Sequence, residues 1–281
     1  MKGIITLCMI VCIAITGSAQ SDTTVRQADT IKVGGMIIIR KAGGEREIIR
    51  HRKNGNDTDI TLPRRKYDKP SNVSTNWWIL DLGFSNFNDK TNYATAVSSG
   101  FVGSTVNAEA LKAKSWKSRN VDLWFFMQRL NLVKHFINLK YGVGLEMNNY
   151  HFDDNRVHLL KNPTKIILDS SYSTLNKNKL AADYLTVPFM LNINFTPGRS
   201  RGFGFSGGIS AGFLYSARQK TKDGSKNKVH DDFDLQKWKI SYIGELLLGP
   251  IKLYGSYATK NMWEKGLDQT PYTVGVRFSN W

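Results

Sequence analysis

The stretch Ile137-Asn138-Leu139-Lys140-Tyr141-Gly142-Val143-Gly144-Leu145-Glu146-Met147-Asn148 alternates apolar with polar or small residues without a break. Successive side chains of an extended strand point to opposite faces. Ile137, Leu139, Tyr141, Val143, Leu145 and Met147 therefore share one face, and Asn138, Lys140, Gly142, Gly144, Glu146 and Asn148 share the other. The run is long enough to cross a bilayer as a tilted strand, which takes about 9–11 residues.

The same alternation recurs on both sides of it. Upstream, Trp78, Leu80, Leu82 and Phe84 oppose Ile79, Asp81, Gly83 and Ser85. A second run sets Val121, Leu123, Phe125 and Met127 against Asn120, Asp122 and Gln128, blurred by Trp124 and Phe126. Downstream, Leu185, Val187, Phe189, Leu191, Ile193 and Phe195 oppose Thr186, Pro188, Met190, Asn192 and Asn194. Phe203, Phe205, Ile209, Ala211, Phe213 and Tyr215 then oppose Gly204, Ser206, Gly208, Ser210 and Gly212. Two more runs, Trp238 to Leu248 and Ile251 to Ala258, meet at Gly249-Pro250, and a last one covers Tyr272 to Phe278. That gives about eight strands, an even number, as single-chain outer-membrane barrels have.

The connections alternate in length. Leu130 to Lys134, Thr196 to Ser200 and Gly249-Pro250 are tight, whereas Asn88 to Ser118, His151 to Lys179, Ala217 to Gln236 and Lys260 to Pro271 are longer and polar. Outer-membrane barrels have short periplasmic turns and longer extracellular loops, which would put both ends of the mature chain in the periplasm. A soluble eight-stranded barrel such as a lipocalin would carry its charges outward. Here the polar face is rich in Gly, Ser and Asn, which suits a narrow interior, while the apolar face is continuous and aromatic. Trp78, Tyr141, Tyr215, Trp238, Tyr257 and Tyr272 lie near strand ends, where interfacial girdles form.

The expected architecture is all-β: an eight-stranded antiparallel up-and-down transmembrane barrel over 76–281. A signal peptide over 1–19 and a basic, mostly irregular periplasmic arm over 20–75 precede it. Lys2, the apolar run Ile4 to Ile15 and the small residues Gly17-Ser18-Ala19 carry the signal reading. Both cysteines, Cys8 and Cys12, fall within it, which leaves no thiol for chemistry after cleavage. In the arm, Ile31 to Arg40 and Glu45 to Arg52 flank Ala42-Gly43-Gly44 and read as a short hairpin; Arg64-Arg65-Lys66 and Lys69-Pro70 lie near its end. The net charge of +16 first points to nucleic acid, but export removes that partner.

Several segments resemble the outer-membrane β-barrel proteins of Bacteroidota, in the broad PorT-like class. They are Ser18-Ala19-Gln20, Tyr184-Leu185-Thr186-Val187-Pro188, Leu253-Tyr254-Gly255-Ser256-Tyr257 and Val274-Gly275-Val276-Arg277-Phe278, within a likeness covering Asn76 to Trp281. The resemblance implies fold and location. The closing strand also resembles the signal by which the barrel-assembly machinery recognises its clients, which makes that machinery an expected partner.

Two sets of residues are candidate sites. On the inward face lie Asp81, Asp122, Glu146 and Glu245 with Lys140, Lys252 and Arg277; enclosed charges have to be paired or hydrated, so an interior salt-bridge network is expected, with a narrow ion or proton path as its rival. In the long loops, Lys112, Lys114, Lys117, Arg156, Lys161, Lys220 and Lys222 stand among further cations that include Arg119, Lys165, Lys177, Lys179, Arg218, Lys226 and Lys228. Lys and Arg pair with phosphate, which makes outer-membrane lipid and lipopolysaccharide expected partners, against a merely solvated loop.

No catalytic, cofactor or metal residues are expected. His151, Asp153, Asp154, His158, Ser170 and Ser171 share one loop, yet no G-x-S-x-G elbow accompanies them, and the histidines lack metal-ligand spacing. The expected role is non-catalytic, structural or interacting, at the cell envelope. Three alternatives stand beside it: a subunit of an envelope secretion or assembly complex that docks an envelope protein through the arm, a lipid-modifying outer-membrane enzyme, and a soluble periplasmic ligand-binding barrel.

Overall fold

The computed structural model describes the backbone of four strands between Asp29 and Thr61 and, with most side chains, residues 71–197, 202–223 and 225–279. The expected signal segment 1–19, the turn at 42–44, the basic residues 64–66, Lys69-Pro70, residues 198–200 of one tight connection and Trp281 lie outside the described residues. The chain divides into two units, 1–69 and 70–281.

In the first unit β1 (Asp29–Val33), β2 (Met36–Arg40), β3 (Arg46–Arg50) and β4 (Thr58–Thr61) form a four-stranded antiparallel sheet in sequence order. The expected hairpin is the pair β2–β3, with Arg40 opposite Arg46. The expected strand from Ile31 to Arg40 is in fact two, since Val33 lies opposite Met36. The segment thus holds more regular structure than a single hairpin.

The second unit contains, in chain order, β5 (Val73–Asp89), α1 (Tyr93–Ser98), α2 (Ala108–Leu111), β6 (Arg119–Val133), β7 (Ile137–His151), β8 (Val157–Leu160), β9 (Lys165–Leu168), β10 (Lys177–Asn194), β11 (Phe203–Asp223), β12 (Ser225–His230), β13 (Trp238–Leu248), β14 (Ile251–Ala258) and β15 (Gln269–Phe278). Strands β5, β6, β7, β10, β11, β13, β14 and β15 pair antiparallel in that order, and β15 returns to β5 with Phe278 opposite Leu80 and Gln269 opposite Asp89. The sheet is a closed ring of eight, so each of these strands has a partner on both sides.

Closure inverts the usual distribution of residues. Leu185, Val187, Phe189, Leu191 and Ile193 of β10 all face outward and are exposed, while Thr186, Pro188, Met190 and Asn192 between them are buried. The expected girdle residues Trp78, Tyr215, Trp238, Tyr257 and Tyr272 are exposed on the outside, and Tyr141 is half-buried.

The short connections sit at one end. At the β6–β7 turn, Lys134 and His135 both have positive φ (43° and 59°) and Phe136 N–H donates to Val133 O at 2.8 Å, the mirror-image turn that matches the twist of a hairpin. Gly249, at φ 67°, fills the same need between β13 and β14.

One expectation is corrected. Strict alternation puts Met127 on the outward face, but it is fully buried inside the barrel. Trp124 lies opposite Gly144 and Phe126 opposite Val143, so Phe125 is an extra residue that shifts the alternation. Phe125 and Phe126 consequently both lie at the outer side, where they meet Trp78 and Trp77 at ring-centroid distances of 6.0 and 5.8 Å. That bulge explains the blurred pattern of the second run.

A second correction concerns the long connections, whose composition suggests solvated, polar loops. They fold together into a cap at the other end of the barrel. Isolated bridges join Val102 to Ile166, Ala113 to Phe152 and Leu235 to Trp263, so each long connection is tied to another. Phe101, Val106, Leu111, Phe152, Val157, Leu159, Ile166, Phe233, Leu235, Met262, Trp263 and Leu267 form an apolar core there, continuous with Tyr150, Leu180 and Tyr184 of the strands below. In the cap the ordinary rule returns, with apolar groups inside and charges outside.

Candidate functional site

All seven residues expected inside the barrel are there and buried: Asp81, Asp122, Lys140, Glu146, Glu245, Lys252 and Arg277. Alternation places them, since each occupies the inward parity of its strand. The pairings between them are set by how far each strand is displaced along its neighbour.

One knot is centred on Arg277. Its guanidinium donates to both oxygens of Asp81, at 2.8 and 2.7 Å, and to Glu245 Oε2 at 3.3 Å. Lys140 Nζ meets the same Glu245 oxygen at 3.0 Å and Ser206 Oγ at 3.2 Å. Trp124 Nε1–H donates to Asp81 Oδ2 at 2.7 Å, and the Arg277 guanidinium lies 5.5 Å from the Trp124 ring centroid. Asp81 and Arg277 lie directly opposite each other on β5 and β15, so this fork bridges the seam where the barrel closes. A bidentate guanidinium–carboxylate pair adds orientation as well as energy.

A second knot joins Glu146 to Lys239, which sequence reasoning missed. Asn148 Nδ2 donates to Glu146 Oε1 at 2.9 Å, Asn120 Nδ2 donates to Asn148 Oδ1 at 3.1 Å and to Asp122 Oδ1 at 2.7 Å, and the Tyr254 hydroxyl donates to Asn120 Oδ1. The alternation Trp238-Lys239-Ile240-Ser241 would have placed Lys239 inward had that run been split into faces. Lys252 stands apart from both knots and donates to the carbonyl and hydroxyl of Ser279 at 2.6 Å each.

Ile79, Trp124, Met127 and Met190, with Ile243 against them, form a small apolar cluster inside the barrel. The cavity among Asp122, Trp124, Glu146, Met190, Tyr254 and Arg277 has a volume of about 30 Å³. A water needs at least about 10–15 Å³, so the lumen at that level has room for a water or two and none for an aqueous channel.

The seven loop cations do not form one group. Arg156 Nη2 pairs with Asp154 at 2.8 Å, Lys114 meets Asp153 at 3.7 Å, and Lys161 donates to the carbonyl of His230 at 2.5 Å. The hydrogen bonds from Arg156 hold the Asp154 carboxyl below its ordinary range. Lys112 and Lys117 are exposed on the loop after β5, and Lys220 and Lys222 lie on the extension of β11 above the barrel.

The polar residues of the loop after β7 come together only in part. His158 Nδ1 lies 3.5 Å from Asp169, and the Tyr172 ring stacks on the imidazole at 4.5 Å with its hydroxyl 3.3 Å from Nε2. Ser171 donates its hydroxyl to Asp169 Oδ1 at 2.7 Å, the carboxylate whose other oxygen lies nearest His158 Nδ1, so the proton of this serine is directed at Asp169. His151 lies on β7 itself, and Asp154 is held by Arg156.

The chain matches a family model described as an outer membrane protein beta-barrel domain over residues 84–257, more than half of its length. The chain belongs to this family and is an outer-membrane β-barrel protein. No curated protein sequence matches it significantly.

Proposed function

We propose that the protein is a closed, non-catalytic barrel that presents its folded cap as an interaction surface at the cell envelope. The observation that carries this reading is the filled lumen: two charged knots and an apolar cluster occupy the space that a conducting pore or a bound substrate would need. Breaking either knot to open a path would strand a charge in a nearly filled interior. In this reading residues 1–19 are a cleaved export signal, both ends of the barrel are periplasmic, and the chain is akin to the PorT-like proteins of Bacteroidota.

Two measurements on the full protein in vesicles test the proposal. Planar-bilayer recording is expected to show no stable open level, and labelled outer-membrane lipids are expected to remain intact on incubation. A steady unitary conductance would refute closure. Lipid hydrolysis lost on His158→Ala, with the barrel still compact in an unboiled gel, would restore the enzyme alternative.

A second reading draws on the four-stranded sheet between Asp29 and Thr61. A folded element in the arm is a ready docking module, so a place in an envelope secretion or assembly complex follows if deletion of 20–69 abolishes a co-purifying envelope partner while leaving the barrel intact.

A further inference from the structure

Above the apolar band, β10, β11 and β12 continue as a three-stranded ribbon whose register stacks cations across it. Lys177 lies opposite Lys222, and Lys222 opposite Lys226; Lys179 lies opposite Lys220, and Lys220 opposite Lys228; Arg218 lies opposite His230. Residues directly opposite share a face, so all of these side chains emerge on the same side. On the neighbouring strand His151 lies opposite Lys179.

Like charges directly opposite one another are destabilising in a sheet, and here they come in consecutive rows. Asp183 is the carboxylate set against them on this face, and Arg218 holds it at 2.5 Å. The Lys179 ammonium donates to Asn149 Oδ1 at 2.5 Å, which holds it in its row beside Lys220.

The ribbon's opposite face fixes it in place. Asn178, Leu180 and Gln219 are buried, and Gln219 donates to Val157 O at 2.9 Å and accepts from Leu159 N–H at 3.1 Å. Asn178 donates to Asn155 O at 2.9 Å. The cations therefore stand on a rigid support and cannot disperse by moving the strands.

The position of this face singles out its ligand. Along β10, Lys177 and Lys179 have the same parity as Leu185, Val187 and Phe189, with the buried Ala181 and Asp183 between them, so the cationic face stands on the lipid-facing side of the barrel above the exposed apolar band. From Arg218 to Lys222 it rises four residues along the strand, about 13 Å. Lysine stems can lie along apolar surface while their ammonium groups reach the headgroup level.

We propose that this ladder of Lys177, Lys179, Arg218, Lys220, Lys222, Lys226 and Lys228 binds an outer-leaflet lipid whose headgroup carries two or more phosphates. Phosphate oxygens accept charge-assisted hydrogen bonds from several ammonium groups at once and remove the repulsion between the rows. The inference rests on the outer-membrane placement and names a partner for the surface of the capped barrel.

The test uses the full chain in detergent micelles, titrated with bisphosphorylated lipid A. One variant carries Lys179→Gln, Lys220→Gln and Lys228→Gln; a charge-matched control carries Lys90→Gln, Lys134→Gln and Lys260→Gln, exposed lysines away from the ribbon. An unboiled gel confirms that each barrel is closed, so failure of binding is separable from failure of the membrane fold. The ladder variant is expected to bind at least about tenfold more weakly, since each lysine near an anionic lipid surface contributes of the order of a factor of five. The control is expected to bind like the parent, and inorganic pyrophosphate is expected not to compete. Equal losses in both variants would mean unspecific charge attraction, and full competition by pyrophosphate would mean a free-phosphate site; either overturns the proposal.

Discussion

Replacing Arg277 by methionine removes the fork that bridges β15 and β5. Glu245 keeps Lys140 at 3.0 Å, so the stranded charge is that of Asp81, which is fully buried and left with Trp124 as a neutral donor. Two unit charges at about 4 Å attract by about 4 kcal/mol at an effective dielectric of about 20, though removing one partner of a buried pair is the better guide and costs about 3–5 kcal/mol. With a urea slope of about 2 kcal/mol per molar, the unfolding midpoint falls by about 2 M. The assay is urea unfolding of the protein refolded into lipid vesicles, followed by tryptophan fluorescence, for which Trp124 beside Arg277 is a local reporter. Adding Asp81→Asn to Arg277→Met neutralises the stranded carboxylate, so the double variant is expected to recover most of the loss. A loss below about 1 kcal/mol for Arg277→Met would refute the reasoning, as would a double variant that shows the sum of both single losses.

Three further outcomes follow from positions described above. His135→Gly relieves a left-handed conformation that costs a side chain about 1–2 kcal/mol, so the β6–β7 turn and the whole barrel gain about 1 kcal/mol in the same urea assay; no gain would mean that the turn does not carry the strain assigned to it. Gly266 sits at φ 82° with the Phe101 ring 2.1 Å from where a Cβ would stand, so Gly266→Ala is expected to raise amide hydrogen exchange in the cap by about tenfold or more while the barrel strands stay protected. Lys179 stands between Lys220 and His151 across the sheet, so bisphosphorylated lipid A is expected to shift the NMR signal of the labelled Lys179 side chain and leave that of Lys90 in place; equal shifts of both would mean unspecific charge attraction.

The strands were legible because a bilayer on one side and a filled lumen on the other impose period two over long runs, as in β7 and β10. The same parity located Asp81, Lys140, Glu146, Glu245 and Arg277 in the interior, since inward-facing is a property of one strand at a time. The pairing of Arg277 with Asp81 and of Glu146 with Lys239 was not legible, because it depends on the displacement between strands far apart in sequence. Met127 was misplaced for a related reason: a bulge at Phe125 costs one residue of phase, and nothing in the run of aromatic residues marks which of them is extra. The cap escaped notice because Phe101, Val106, Phe152, Val157 and Ile166 are spread through polar loops without a period and meet only when the long connections converge. The cation ladder was half visible. Lys220 and Lys222 stood out as charges, but the alignment of Lys220 with Lys179 and Lys228, and of Lys222 with Lys177 and Lys226, is a matter of register.

Strand β10 reverses its hydropathic phase between Tyr184 and Leu185 without changing the direction in which its side chains point. Below that step the outward residues are Leu185, Val187 and Phe189; above it they are the buried Asp183 and Ala181 and then Lys179 and Lys177, while Leu180, Ala182 and Tyr184 turn apolar groups inward. The step acts as a waterline. If the barrel sank by a turn of the pleat, Asp183 and then Lys179 would move toward hydrocarbon, where a lysine costs about 2–4 kcal/mol at the midplane and little at the interface. If it rose, the apolar side chains of Leu185 and Val187 would enter water. The protein thus fixes its own draught in the membrane, and a bilayer of another thickness has to adapt to it.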